Sequence, residues 1–443
     1  MRPFRAPGLA SLALVFALAL VPAADAKRKT FRAVAKTPSA LVFKPARIEP
    51  GKVRRAQLVL RKRGGDRAKR RIGARRVRAA LKRGVKLRVH RPARVRGGRL
   101  IVTTPDGPVN CRVPHPTLRA HAPASTCWRP YSEDSPFNRP VTPDARVVSN
   151  SQAIVDRWVG FGSLNAPKFN TGTAGTSYDY EHPIYYSSRR DPIYEVRCQQ
   201  WVSSCEVHGM RVRIPSRAKP AAGSDGHLTV IDARSGWEYD FWQVTGKPRG
   251  GGALKVGHGG RTELGGDGLD SNATAAHFGL AAGVIRPEEL AAGEINHALF
   301  MVVNCTNGTS VAPAHAGTSG RSCSSIGQSN ANAPRMGEHF VLDMTDAEIN
   351  ALPTAAWRKT ILRAMAHYGL YVGDTGGGFL KLQSGASWTS FGRTDPWRKL
   401  GNKLDVPTWS EGGRTFHAFD LRSTIDWRSR MEIVDPCVAQ GTC

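Results

Sequence analysis

The chain lacks the short motifs by which many enzymes declare their chemistry. It has no G-x-S-x-G elbow, no H-E-x-x-H, no Walker loop and no G-x-G-x-x-G behind a strand. A serine esterase, a zincin and a nucleotide enzyme are therefore disfavoured. None of its eight cysteines forms C-x-x-C, which excludes zinc ribbons and thioredoxin-type redox motifs. Beyond the N-terminal segment no stretch reaches eighteen apolar residues, so no transmembrane segment is expected. One region is also nearly empty of acids and aromatics. Lys27–Arg99 holds only Glu49, Asp66, Phe31 and Phe43 of those types, and no tryptophan precedes Cys127.

What fills that region is positive charge. Lys27–Arg99 carries 28 Lys and Arg, a net +26 out of +29 for the chain. Such a field exceeds what solubility requires and favours an anionic surface such as a cell-envelope polymer (teichoic acid, acidic capsule), phospholipid or extracellular DNA, with a disordered basic linker as the alternative. Nucleic-acid readout is disfavoured, because only Phe31 and Phe43 are present to stack on bases. Ahead of it, Arg2 and Arg5, the apolar Leu9–Val21 and Ala24-Asp25-Ala26 compose a secretory signal with an A-x-A cleavage site. The expected organisation is a signal peptide over residues 1–26, a small basic β-rich module over 27–105, a Pro-rich connector over 106–146 and a large domain over 147–443. In the module, Ala56-Leu58-Leu60, Val85-Leu87-Val89 and Leu100-Val102 alternate as strands, Pro50-Gly51 and Gly97-Gly98 supply turns, and Ala74–Lys82 suits a short helix.

An even cysteine count after a secretory signal implies disulfides, and loop closure favours neighbours: 111–127, 198–205, 305–323 and 437–443. The large domain reads as a jelly-roll-like β-sandwich with two or three peripheral helices. Its centre is Ala282–Val303, where Pro287 opens a short helix, Gly293 ends it, and an apolar strand from Ile295 carries His297 among aliphatic residues. His227–Val244 is the clearest hairpin, with Gly236 in its turn; Glu238, Asp240 and Trp242 share one face and Trp237 and Tyr239 the other. Gly250–Asp270 reads as a flexible Gly-rich loop, in which Asp267 and Asp270 offer a calcium site without the full EF-hand spacing. Thr345 and Glu348 form a capping box, a helix spans 354–368, and Asp374 ends a strand at a glycine loop.

Three stretches, GVIRPEELAAGEINHAL, PRMGEHFVLD and AHYGLYVGDTGG, together resemble a recurring family of secreted actinobacterial β-sandwich proteins. The resemblance spans roughly 135–436 and implies a β-rich extracellular domain of the kind found in polysaccharide-degrading systems. Arg286, Glu289, Gly293, His297, Gly337, Tyr368, Gly369 and Asp374 fall within the shared pattern. The pattern implies a small residue where His277 stands, which ranks His297 ahead of His277.

Carboxylates, histidines and aromatics on strands suit carbohydrate chemistry. Glycoside hydrolysis uses one protonated and one ionised carboxyl group; a polysaccharide lyase uses a base and a cation to neutralise a uronate. The preferred expectation is a secreted carbohydrate-active hydrolase acting on an extracellular or cell-envelope polysaccharide. Asp240, His297 and Asp374 would form the catalytic group, with His297 and Asp374 in hydrogen-bond contact. Trp242, Tyr239, Arg335, Glu289 and His227 would bind substrate, and no resident metal or cofactor is expected beyond the possible calcium. A lyase and a non-catalytic glycan-binding protein remain the alternatives.

Overall fold

The computed structural model describes residues 28–37, 40–43, 55–62, 67–72, 85–88 and 95–103 as backbone strands, and residues 130–443 except 143, 163–166, 319, 378 and 441. The signal peptide, the Pro50-Gly51 turn, the helix at 74–82, the cysteine pair 111–127 and most of the connector lie outside the described residues. The chain divides into two compact units, 1–111 and 112–443.

The first unit contains one antiparallel sheet. Its strands β1 (Arg28–Thr37), β2 (Ala40–Phe43), β3 (Arg55–Lys62), β4 (Arg67–Ile72), β5 (Val85–Arg88) and β6 (Val95–Thr103) run in the order β4-β3-β6-β1-β2-β5. The register sets Leu58 opposite Leu100 and Ala56 opposite Val102, which places the apolar positions of two strands on one face. Gly97 and Gly98 do not form the expected turn. They lie inside β6, opposite Arg61 and Leu60 of β3, because glycine tolerates extended backbone as well as a turn when strands flank it on both sides.

The second unit is mainly β, with short helices, and is consistent with a β-sandwich. One sheet has the order β14-β12-β11-β8, from β8 (Ile184–Tyr186), β11 (Leu228–Asp232), β12 (Trp237–Trp242) and β14 (His258–Glu263). A second joins β9 (Ile193–Cys198), β10 (Arg211–Arg213) and β13 (Gly252–Val256). A third has the order β18-β15-β17-β16-β21, from β15 (Leu299–Val303), β16 (His339–Leu342), β17 (Leu370–Thr375), β18 (Phe379–Leu380) and β21 (Met431–Val434). The fourth combines β7 (Lys168–Thr171), β19 (Thr408–Glu411) and β20 (Arg414–Asp420).

The hairpin forms as its sequence demands: β11 and β12 pair antiparallel, and Gly236 takes φ 85° in the turn. The helix α1 (Ser151–Gly160) buries Ile154, Val155 and Trp158 on one side. In α2 (Pro287–Ala292) Pro287 sits at the start and Gly293 stops the helix at φ 75°. The capping box at Thr345 opens α3 (Asp346–Ala351), and α4 (Ala356–His367) buries Trp357, Ile361 and Met365 at helical spacing. Strand β15 is buried at every position between β17 and β18, as an all-apolar strand must be. It begins at Leu299, however, so His297 precedes the strand rather than lying in it.

Two further expectations change. The Gly-rich stretch 250–270 is not a simple loop but contains β13 and β14, both paired to neighbouring strands. Tyr131 and Phe137, within the stretch taken as connector, are buried in the core with Phe278, Phe300 and Tyr371. Large aromatic area outweighs the Pro-rich composition around them. Three of the neighbour disulfides are formed, 198–205, 305–323 and 437–443. Among the described residues no helix is long and apolar enough to cross a membrane.

Candidate functional site

The three carboxylate and imidazole groups expected to act together do not meet. Strands β15 and β17 are neighbours, but they run parallel with Leu299 opposite Leu370 and Val302 opposite Asp374. His297 therefore stands before the first rung of the ladder and Asp374 near its last. At about 3.3 Å per residue that separates them by more than 10 Å along the strands. Each finds other partners.

His297 belongs to a buried ion cluster. Its Nε2 lies 3.2 Å from Glu289 Oε1 and its Nδ1 lies 2.8 Å from the Ala298 carbonyl oxygen. Arg286 donates to the same carboxylate through its backbone N–H, at 2.8 Å, and through its guanidinium. Burial alone would raise the Glu289 carboxyl, but Arg286 and His297 hold it down to about 2. All three side chains are buried, so the group fastens α2 to the start of β15. Glu289 is thus bound to protein, not presented to substrate.

Asp240 and Glu238 project from alternate positions of β12 into the interior, both with no exposed surface. Asp240 Oδ2 accepts from the Ser271 hydroxyl at 2.7 Å and from the Leu280 N–H at 3.1 Å. Glu238 accepts from the Ala281 N–H and the Tyr131 hydroxyl, each at 2.9 Å. Burial pushes Asp240 up to about 6 and, with the Asp240 charge beside it, lifts Glu238 well above the usual carboxylate range. Asp374 is engaged in a similar way. Burial raises it to about 6, while hydrogen bonds from the Thr375 and Ala275 N–H groups and the Lys381 charge oppose that rise. The neighbouring Gly373 carbonyl accepts from Ala276 N–H at 3.1 Å.

These bonds converge on one segment, Ser271–Ala281. Glu238, Asp240 and Asp374 together hold its Ser271, Ala275, Leu280 and Ala281, and His182 Nδ1 lies 2.7 Å from the Leu280 carbonyl. A Cβ on Gly260 would stand 2.2 Å from the Asn272 N, so only glycine lets β14 approach the segment this closely. The outer side of the segment is a cleft of about 700 Å³, lined by Trp237, Arg261, Asp267, Asp270, His277 and His315.

Two of those residues sit in left-handed backbone, Asp270 at φ 67° and His277 at φ 62°. Neither is glycine, and such conformations persist only where surrounding bonds impose them. His277 stacks on His315 with ring centroids 4.7 Å apart. Burial and the His315 charge lower the His277 imidazole below its usual value, and the Asp270 carboxylate opposes this. A half-buried imidazole, lowered chiefly by burial, thus stands near the exposed Asp270 carboxylate. At the other wall the Arg261 guanidinium lies 4.1 Å over the Trp237 ring and bonds Glu206 Oε1 at 2.6 Å. A second cleft, of about 600 Å³, is lined by Asp395, Arg398 and His417. Two of its groups have structural partners: Asp395 accepts from the Trp397 N–H, and His417 Nε2 bonds Asn402 Oδ1.

The remaining expected substrate residues disperse. Trp242 stacks on Trp201 with centroids 5.9 Å apart. Tyr239 is half-buried between Val230 and Arg261 in the sheet. His227 is buried against His182, and burial with the Lys381 charge lowers it to about 3. The Arg335 guanidinium is bonded to the buried Glu338, which leaves it unsuited to neutralise a uronate. For calcium, no cluster of three or more metal-competent side chains occurs among the described residues. Asp267 instead accepts from the Leu269 N–H at 3.1 Å. His277 and Asp270 were visible in the sequence as ionisable residues near glycines, but nothing there signalled their backbone conformation.

Compared with protein-family models, with curated proteins and with solved structures, the chain matches none.

Proposed function

We propose that the protein is a secreted carbohydrate-active enzyme that hydrolyses an extracellular or cell-envelope polysaccharide in the cleft containing Asp267, Asp270 and His277. One observation carries this reading: a loop clamped from below by three carboxylates holds His277, with Asp270 immediately before that loop, in costly backbone conformations on an open cleft walled by Trp237. Preorganised ionisable groups in a cleft are what acid–base catalysis requires. In this reading one of Asp267 and Asp270 gives a proton to the departing glycosidic oxygen, while His277 takes a proton from the water that attacks the anomeric carbon. Arg261 is already paired with Glu206, and Glu206, Glu263, Asp267 and Asp270 all line the cleft. That excess of acid disfavours a uronate substrate and hence a lyase. The likeness of 135–436 to secreted actinobacterial β-sandwich proteins supports an extracellular role. Lys27–Arg99, with its net +26, would retain the enzyme on an anionic envelope polymer.

A panel of neutral, amino and uronic polysaccharides with product analysis tests the proposal. The expected products are new reducing ends, abolished in both Asp270→Asn and His277→Gln while the melting temperature stays within a degree or so of the parent. The acid limb of the pH profile should lie below the usual histidine value of 6.5, since His277 is lowered, and it should change in His277→Gln. Unsaturated uronates would replace hydrolysis by elimination, and glycan binding without product would leave a binding protein.

A further inference from the structure

The most exposed tryptophan of the described residues is also held in a strained backbone. Trp201 is 63 % exposed and takes φ 42° in the segment closed by the Cys198–Cys205 disulfide. An indole left largely in water forfeits the gain that burial gives a large apolar side chain, and left-handed backbone adds a further cost. The turn holds this backbone, since the Trp201 carbonyl accepts from the Ser204 N–H at 2.9 Å and from its hydroxyl at 3.0 Å. The indole stacks on Trp242, with interplanar angle 18°, and meets the His258 ring edge-on at 5.7 Å. His258 is the cross-strand partner of Trp242 on β14.

The rim repeats the pattern. Gln243 is likewise a non-glycine residue at positive φ, 51°, and its Oε1 accepts from Gln200 Nε2 at 2.5 Å. Below the platform, a Cβ on Gly257 would lie 2.9 Å from Gln243 Cβ and 3.1 Å from Trp242 Cε3, so glycine is needed for the ring to rest there. Two strained residues, one disulfide and one obligate glycine thus present two indoles and two amides at the surface. The groups that compose the platform carry no formal charge apart from the histidine, whose protonation burial disfavours.

We infer that Trp201 and Trp242 form a sugar-stacking subsite for a neutral β-linked pyranose chain. The flat indole faces match the axial C–H faces of all-equatorial rings, and the Gln200 and Gln243 amides match equatorial hydroxyls or N-acetyl groups. The subsite lies near the catalytic cleft: His258 is close enough to His277 for their charges to interact, and Asn272 of the clamped loop bonds the Ser204 carbonyl. Stacking on the platform does not depend on the hydrolytic reading of that cleft.

The test is calorimetric titration of the full chain with cellohexaose, chitohexaose and a hexamer of polygalacturonate. Binding of a neutral hexamer is expected, and Trp201→Ala should weaken it at least about tenfold, as loss of a central aromatic anchor does. Trp201→Phe should recover part of the loss. Because Trp201 is exposed, its truncation should leave the melting temperature unchanged, and Trp242→Ala, which removes the ring Trp201 stacks on, should also weaken binding. Cellohexaose against chitohexaose distinguishes a plain glucan from an N-acetylated source. Unaltered affinity in Trp201→Ala, preference for the polygalacturonate hexamer, or failure of the parent to bind either neutral chain would overturn the subsite. Titration of Asp270→Asn separates the two claims: binding retained there without turnover in the parent leaves the platform standing and removes the hydrolase.

Discussion

A carboxyl group taken out of water either finds charge partners or gives up its own charge, and both outcomes occur here. Glu289 keeps its charge because Arg286 and His297 surround it. Glu181 does the opposite: burial raises it to about 8, although the Lys381 charge and the Leu382 N–H pull it back. A carboxyl whose folded value lies above its ordinary 4.5 favours the fold at low pH, and that contribution is lost as pH rises through about 8. The buried imidazole of His227, lowered to about 3, has the reverse dependence, and its contribution is complete above its ordinary value of 6.5. Between pH 6.5 and 8 the raised carboxyls should therefore dominate, Glu181 together with Glu238 and Glu288. Through Glu181 alone stability is expected to fall by ~2 kcal/mol across that interval, a shift of a few degrees in melting temperature. Glu181→Gln should flatten the slope; an equally steep slope in that variant would assign the titration elsewhere.

At the scale of elements, the segment Ser271–Ala281 shows why a site is harder to read than a strand. The hairpin at 228–242, the helix bounded by Pro287 and Gly293, and the strand ending at Asp374 were legible, since turn residues and periodicity act over a few neighbours. The placing of Asp240 was not. Alternation along β12 puts Glu238, Asp240 and Trp242 on one face, but only tertiary packing decides that the two acids are sealed beneath Leu280 and Ala281. Likewise, the expected contact of His297 with Asp374 required neighbouring strands in a particular register, and the parallel register of β15 and β17, which parts them, depends on long-range assembly. Asp240 is thus a positioning residue. Asp240→Ala would leave the Ser271 hydroxyl and Leu280 N–H without their acceptor, at a cost of about 1–3 kcal/mol. Amide exchange at Leu280 should accelerate, and turnover should drop without change in the His277 limb of the pH profile. If exchange is unaffected, the clamp is not what holds the loop.

For the whole molecule the decisive contrast is between its two units. Lys27–Arg99 carries +26 while the other residues together carry +3, with all ten tryptophans after Cys127. The charged field and the aromatic cleft belong to separate compact units, so attachment and chemistry should be separable. The six-stranded antiparallel sheet of the first unit gives the cationic sequence a fold rather than a bare charge run. Cations fixed on a scaffold bind an anionic polymer by displacing its counterions, and that gain shrinks as salt shortens the screening length to about 8 Å at physiological ionic strength. Deleting Lys27–Arg99 should leave the melting transition of the second unit and its turnover of short oligosaccharides unchanged, while abolishing retention on teichoic-acid-bearing walls. Retention by the full chain should fall steeply between 50 and 500 mM salt, on the order of tenfold or more for several contacts. Sedimentation with isolated walls, before and after removal of their anionic polymer, measures both effects. Retention that survives the deletion, or that salt does not weaken, would move the anchor from charge to the aromatic surface of the second unit.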